Sequence, residues 1–373
     1  MLNICGMSNG NLKYLNAINI LVTAKSGALQ AICDAYGGDW EKAWYSDLTR
    51  YIPKDRDTEG KLISVNYPKL QKQINPDQEW AKLAKKHIEL ITILDVDYPK
   101  PLSHIPDPPF LLYVRGSREV LSDNCFAIVG TRALSEYGKR CAPQIALDVA
   151  RAGFTIVSGL AMGIDTLAHK AALDASAKTI AVLGTGIDDQ TIFPAPNLGL
   201  TRKIIEKGGA IISEYAIGTH GTKFSFPQRN RIISGLSQGV LVVEADEQSG
   251  AMITARFAAE QGRDVFAIPG NIFAKTSQGT NNIIKKGAKM VTCAEDILEE
   301  YELKTQNFKF KIQIKGDNEM EEKILAVLSG EPITADDIIR QTGLDAAQAN
   351  ATLTVMELKK KVRNLKGRFI LWA

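Results

Sequence analysis

The sequence predicts an α/β protein: a doubly wound, mostly parallel sheet flanked by a small helical domain and a C-terminal domain of three helices and a hairpin. Three observations predict it. Short β-branched runs alternate with helix-length segments between Cys125 and Tyr301; the preceding stretch is helical in pattern; and the last fifty or so residues end in two short strand-like runs around a Lys-Gly turn. The apolar runs do not alternate with polar residues, so each strand is buried on both faces, as parallel strands covered by crossover helices are.

In chain order, Leu12–Ala24 and Gly27–Tyr36 read as helices, followed by a Lys/Asp/Pro-rich stretch from Pro53 to Pro76. Glu79–His87 reads as a helix, Leu90–Leu94 as a strand, and the prolines at 99, 101, 106, 108 and 109 as a linker or edge before a strand at Phe110–Val114. The central strands are predicted at 126–129, 155–158, 179–183, 210–213, 240–243, 265–268 and 289–291, with helices at 136–152, 164–175, 251–261 and 279–287. Residues 302–318 are polar and Lys-rich and suit a linker. Helices are then expected at 319–328, at 335–342 behind the N-cap Thr334, and at 346–360, with strands at 362–365 and 369–372, which together describe a winged helix. The domain boundaries that follow are 1–113, 114–301, 302–318 and 319–373.

Composition narrows the function classes. The 373 residues carry 45 Lys and Arg against 42 Asp and Glu, a net charge of +3, with 45% hydrophobic and 23% charged residues. This is globular composition, and bulk charge gives no hint of a polyanion partner. No apolar run reaches the roughly 18 residues that cross a bilayer, and the first ten residues lack a signal-peptide pattern. Cys5, Cys33, Cys125, Cys141 and Cys293 form no C-x-x-C pair, which fits a reducing compartment and a cytoplasmic location.

In an open α/β sheet, ligands collect where strands run into helix N-termini, so the chemistry is sought in those turns. After the first central strand, Gly130, Thr131, Arg132 and Ser135 put a flexible backbone, two hydroxyls and a guanidinium on one turn, which suits phosphate. After the second come Ser158, Gly159, Gly163 and Asp165, then His169 on the helix, with no nucleophile identifiable beside it. The third carries Gly184 and Gly186, but Asp189 takes the place of the last glycine of a dinucleotide fingerprint, and no P-loop occurs. The stretch from Gly221 to Ser237 brings Lys223, Phe226, Arg229, Asn230 and Arg231 together: cations that track phosphates beside aromatic faces that stack bases. Ser249, Gly250 and Thr254 open a further helix, and the acidic Glu244, Asp246 and Glu247 nearby are expected to hold Arg229 or Arg231 in place. These four cations, Arg132, Lys223, Arg229 and Arg231, are expected to converge at one edge of the sheet. No catalytic residue, metal site or cofactor is called for, since no His/Cys cluster has ligand spacing.

The ordered motifs Ile128–Arg132, Ser158–Asp165 with Ala168-His169, Ser213–Tyr215, Phe226–Gly235, Gln261–Gly270 and Gly279–Asn281 resemble the bacterial DNA-processing family DprA, also called Smf. Tyr98-Pro99 and Leu112–Gly116 fit the same family, as does the terminal domain with Thr342-Gly343-Leu344. The resemblance implies an extended Rossmann-like core, a SAM-like N-terminal domain, binding of single-stranded DNA as a homodimer, and loading of the RecA recombinase during natural transformation. By position it implies that Arg132 and Lys223 hold phosphates, that Phe226 borders a base pocket, and that no turnover is needed. The chain departs from the family at Thr23–Gly27, where a Gly-x-Gly turn is usual, and at Thr185 and Leu198. Helix 346–357 has no Lys or Arg, which favours a protein-contact or packing role for that domain. A nucleoside-monophosphate phosphoribohydrolase or a nucleotide sensor on the same core is the alternative, although the Pro-Gly-Gly-x-Gly-Thr-x-x-Glu segment of those enzymes is absent.

Overall fold

Apolar strands buried on both faces need helices on both faces, and the computed structural model supplies them. It describes residues 9–52, 67–301, 316–328, 332–359, 361–365 and 367–371. Cys5, residues 53–66 of the Pro-rich stretch, 302–315 of the expected linker, Lys366 and Trp372 lie outside the described residues. Two compact units are formed, 1–304 and 305–373.

Helices α1 (Asn9–Val22), α2 (Ser26–Tyr36), α3 (Trp40–Trp44), α4 (Tyr67–Gln73) and α5 (Pro76–Lys85) open the first unit. Their limits follow local chemistry. Gly37, at φ 62°, ends α2, and Asn75 caps α5 by accepting from the amides of Asp77 and Gln78 at 3.0 and 3.2 Å. Leu15, Ile18, Leu29, Ile32 and Trp40 share one apolar cluster with Phe110, Leu111 and Ile211. The N-terminal helices therefore have no core of their own; they cover one end of the sheet.

The rest of this unit runs β1 (Glu89–Thr92), α6 (Lys100–Ser103), β2 (Leu111–Gly116), β3 (Cys125–Val129), α7 (Glu136–Arg151), β4 (Thr155–Ser158), α8 (Ile164–Asp174), β5 (Thr179–Leu183), α9 (Leu198–Glu206), β6 (Ala210–Ser213), α10 (Ser225–Leu236), β7 (Gly239–Val242), α11 (Gly250–Glu260), β8 (Asp264–Ala267), α12 (Lys275–Lys285), β9 (Lys289–Met290) and α13 (Glu295–Leu298). The nine strands lie in the order β1-β2-β6-β5-β4-β3-β7-β8-β9. From β6 to β9 all pairs are parallel; β1 and β2 add an antiparallel edge beside β6. Because β2 ends at Gly116, the boundary expected after Tyr113 falls within a strand.

Alternate residues of β3 feed opposite cores. Phe126 and Ile128 pack with Phe154 and Phe266, whereas Ala127 and Val129 pack with Val157 and Val240. This is the doubly wound, Rossmann-like arrangement. Strand order reverses between β3 and β7, which pair through Ala127–Val240, Ile128–Leu241 and Val129–Val242.

The second unit contains α14 (Glu319–Val327), β10 (Ile333–Thr334), α15 (Ala335–Thr342), α16 (Ala346–Leu358), β11 (Val362–Leu365) and β12 (Arg368–Leu371). Asn318, Thr334 and Asp345 cap its helices, and Ile324, Ile338, Leu353, Met356, Val362 and Phe369 form its core. It is a winged helix with a third strand, β10, that the sequence pattern does not reveal because it is two residues long. Among the described residues, no helix is long and apolar enough to cross a membrane.

Candidate nucleic-acid interface

A cleft of about 650 Å³ opens beyond the carboxyl ends of β3 and β7, where the strand order reverses. Such a switch point splays adjacent loops apart and leaves helix N-termini facing the gap. The turn after β3 contributes Gly130, Thr131 and Arg132; the turn before α11 contributes Asp246, Gln248, Ser249 and Gly250; and α11 itself adds Thr254. Ser249 caps α11, accepting from the Ala251 amide at 3.3 Å, so the positive end of that helix borders the cleft.

The opposite wall is α10. Phe226, Arg229, Asn230 and Ile233 all line the cleft, a spacing of three and four residues that places them on one helix face. Arg231 is two residues beyond Arg229, about 200° around the helix, and points elsewhere. It is 3% exposed and donates to both carboxylate oxygens of Glu214 at 2.6 and 2.7 Å and to the Asp107 side chain at 3.0 Å. Burial opposes its charge, but these carboxylates outweigh that and hold the guanidinium above its ordinary pKa. The expected convergence of four cations is thus corrected to three, and the holding carboxylates are Glu214 and Asp107 rather than Glu244, Asp246 or Glu247.

Arg229 lines the cleft from within the wall. It is 5% exposed and donates to the carbonyls of Gly159 at 2.6 Å and of Val182, and to Asn230 Oδ1 at 3.1 Å. Burial lowers its pKa to about 10, against the pull of Asp165. Asn230 then donates to the Gly250 carbonyl at 3.1 Å, tying α10 to the start of α11. Asp165 accepts from the amides of Gly159 and Ala161 at 3.1 and 3.3 Å; burial raises its pKa despite Arg229 and those amides.

Two cations stand at the rim. Arg132 and Lys223 are exposed, and the Lys223 ammonium lies 5.1 Å from the centre of the Phe224 ring, itself 67% exposed. Close backbone approach sets their loops. Gly163, at φ 91°, packs so near the Thr131–Arg132 backbone that a β-carbon would stand 2.8 Å from the Arg132 Cα. A β-carbon on Gly184 would stand 2.9 Å from Phe226 Cδ1, so Gly184 gives that ring its seat.

Ser135, Ser158 and Gly186, expected as phosphate contacts, do not line the cleft. Ser135 caps α7 and donates to Glu244, Ser158 donates to the Ile128 carbonyl at 2.7 Å, and Gly186 packs beside Thr191. His169 is fully buried, bonded through Nδ1 to Thr179 at 2.7 Å, and burial lowers its pKa to about 3; it is a neutral packed residue.

The sequence reading overlooked three positions. Phe193 and Met162 are large apolar side chains left 51% and 45% exposed beside Phe226 and Arg132. Asn197, 5% exposed, donates to the Leu160 carbonyl at 2.7 Å and to Thr166 at 2.8 Å, pinning a loop in which Leu160 takes a left-handed φ of 60°. The Phe-Pro-Ala-Pro-Asn string was the available signal, since a proline-bounded turn that ends in Asn has a fixed course.

Comparison with known proteins gives the family. The model of the family described as DNA recombination-mediator protein A matches residues 89–302, and that of the DprA winged helix domain matches 313–368. The chain is 46% identical over 211 residues to the DNA processing protein DprA of Streptococcus pneumoniae, covering 57% of this chain and 73% of that protein. It is 44% identical over 235 residues to the protein Smf of Escherichia coli, covering 63% of this chain and 61% of Smf, so the match spans about three fifths of that relative. Among solved structures, DprA from S. pneumoniae superposes with a TM-score of 0.63 at 36% identity, covering 79% of this chain and 99% of that one. DNA processing protein A from Helicobacter pylori, whose structure concerns its single-stranded DNA binding mode, superposes at 0.52 with 32% identity, covering 58% of this chain and 97% of that one. The chain belongs to the DNA recombination-mediator protein A family, also named DprA or Smf, and carries that family's C-terminal winged helix.

Proposed function

We propose that this chain binds single-stranded DNA in the cleft at the β3/β7 switch point, protects it, and delivers it to the RecA recombinase in natural transformation and recombination. One observation carries the reading: two exposed cations, Arg132 and Lys223, stand on the rim of a cleft walled in part by the half-buried ring of Phe226. Cations that follow a phosphate chain beside rings that accept bases are the requirement for single-strand binding. The family membership and the single-strand binding of the H. pylori relative support it. Arg132, Lys223, Gly130, Thr131, Ser249 and Gly250 are the proposed phosphate contacts, with Phe226 toward a base.

The protein acts as a homodimer in the cytoplasm, without turnover. Glu244, the carboxylate on which turnover would be expected to depend, is 2% exposed and accepts from the Ser135 amide at 3.2 Å and from its hydroxyl. The winged helix makes protein contacts. Its α16 has no Lys or Arg, and Lys359 and Lys361 beyond it are drawn to Glu321 at 2.9 and 2.6 Å. The test is fluorescence anisotropy with a labelled single strand and a duplex of equal length. The single strand should bind at least tenfold more tightly; equal affinities would overturn the proposal.

A further inference from the structure

Behind Phe226 lies a second, smaller hollow of about 90 Å³ that shares Arg132, Ala161, Phe226 and Arg229 with the main cleft. Its own walls are Met162, Phe193 and Pro194, with the backbone of Gly159. The Phe193 and Phe226 rings meet with centroids 5.7 Å apart and planes inclined at 52°, so they form an open corner rather than a closed stack. Phe193 is 51% exposed and Met162 45% exposed. Single exposed apolar residues are ordinary on a protein surface, but two facing one concavity beside an arginine call for a ligand with a flat apolar face and an anionic neighbour.

We propose that this slot holds a second nucleobase of the bound strand, stacked on Phe193 with its edge toward Phe226, while Arg132 holds the phosphate between the two nucleotides. The shared wall supports this: Phe226 and Arg132 border both spaces, so a strand with one nucleotide in the cleft reaches the slot within one sugar-phosphate step. The side chains that line only the slot, Met162, Phe193 and Pro194, bring no hydrogen-bonding group, so recognition there is by stacking and tolerates any base. Phe193 and Met162 are then binding residues that act on the base, distinct from the phosphate contacts at Arg132 and Lys223.

The proposal rests on the single-strand reading of the cleft, and the experiment separates the two. Anisotropy titrations of the full chain use an oligothymidylate and an oligomer of the same length made wholly of abasic sugar-phosphates. Phe193→Ala and Phe193→Leu are expected to bind oligothymidylate roughly 5- to 10-fold more weakly, the lower part of the range for loss of one stacked base, and the abasic strand as the wild type does. Phe193→Trp should restore the affinity. Arg132→Ala should weaken both strands. If Arg132→Ala weakens both while Phe193→Leu keeps full affinity for oligothymidylate, the slot is empty of base and the single-strand reading survives. Equal weakening of both strands by Phe193→Leu also overturns the slot, because the ring would then act on the backbone path or the fold. If Arg132→Ala and Lys223→Ala both bind as the wild type does, the reading of the cleft fails and the slot fails with it.

Discussion

On the rim of the cleft, Arg132 and Lys223 are exposed and, among the described residues, no carboxylate pairs with either; in the wall behind, Arg229 and Arg231 are 5% and 3% exposed and spend their donors on carbonyls and carboxylates. All four are cations in the motif segments. What separates them is solvation. A buried guanidinium must have its charge and donors satisfied within the fold, so it is a structural part whose removal disturbs the core. An exposed one keeps its water until a partner displaces it, so its removal leaves the fold alone and alters binding. A net charge of +3 over the chain therefore says little about a polyanion partner, since it counts both kinds alike.

The largest expected effect lies in the wall. Glu214 is 2% exposed and meets Arg231 through two hydrogen bonds, while it also accepts from Ser26 at 3.1 Å, and its carbonyl accepts from Asn19 at 3.1 Å. It thus joins α10 to the N-terminal helices. Glu214→Ala leaves a buried charge with Asp107 alone and should destabilise the first unit by about 3–5 kcal/mol. Urea unfolding followed by tryptophan fluorescence reads this, since Trp40 and Trp44 are buried in that unit. The double variant Glu214→Ala/Arg231→Met removes the stranded charge and should recover much of the loss. A double variant no more stable than Glu214→Ala would show that shape, and not charge, is what the pair supplies.

A smaller effect comes from His169 on α8, which is held neutral with its pKa near 3 against an ordinary 6.5, by burial first and then by Arg229. The unfolded chain takes up a proton below about pH 6.5 and the folded chain does not, so stability falls as pH falls through that window and is fully present above it. Each pH unit is worth about 1.4 kcal/mol, hence about 2 kcal/mol between pH 6.5 and 5. His169→Gln should lose that component of the pH dependence, measured as the difference between urea midpoints of wild type and variant at the two pH values. An identical pH slope in both would show that His169 does not carry that component.

The same distinction explains what could be read from the sequence. Strands β3 to β8 are legible because burial on both faces leaves uninterrupted apolar runs, and the turns after them are legible because ligand loops of such a sheet have a fixed place. The fate of each cation is not, since it depends on which residues stand opposite. Helical phase alone separates Arg229 from Arg231 once α10 is placed from Ser225 to Leu236, but the partner Glu214 comes from the end of β6, a match made only by the fold. Phe193 was hidden for a related reason: its 51% exposure and its place beside Phe226 emerge only when the turns after β3 and β4 and helix α10 are assembled around it.

The smallest effect on stability belongs to the rim, and it is the sharpest test of the contrast. Arg132→Ala and Lys223→Ala each remove an exposed side chain without a carboxylate partner, so each should change unfolding free energy by no more than about 0.5 kcal/mol. Their effect appears in binding. A single strand releases about 0.7 counterion per phosphate contacted, so loss of one contact should make the slope of log affinity against log salt shallower by about 0.7. Over a fourfold rise in salt, the affinity gap between wild type and variant then narrows by about 2.6-fold per contact. The paired substitution Arg132→Ala/Lys223→Ala should flatten the slope by about 1.4, the sum expected of two contacts that act independently through displaced ions. A variant that loses affinity with the slope unchanged would mean that the side chain acts on the shape of the cleft, which would move that residue from the rim to the wall.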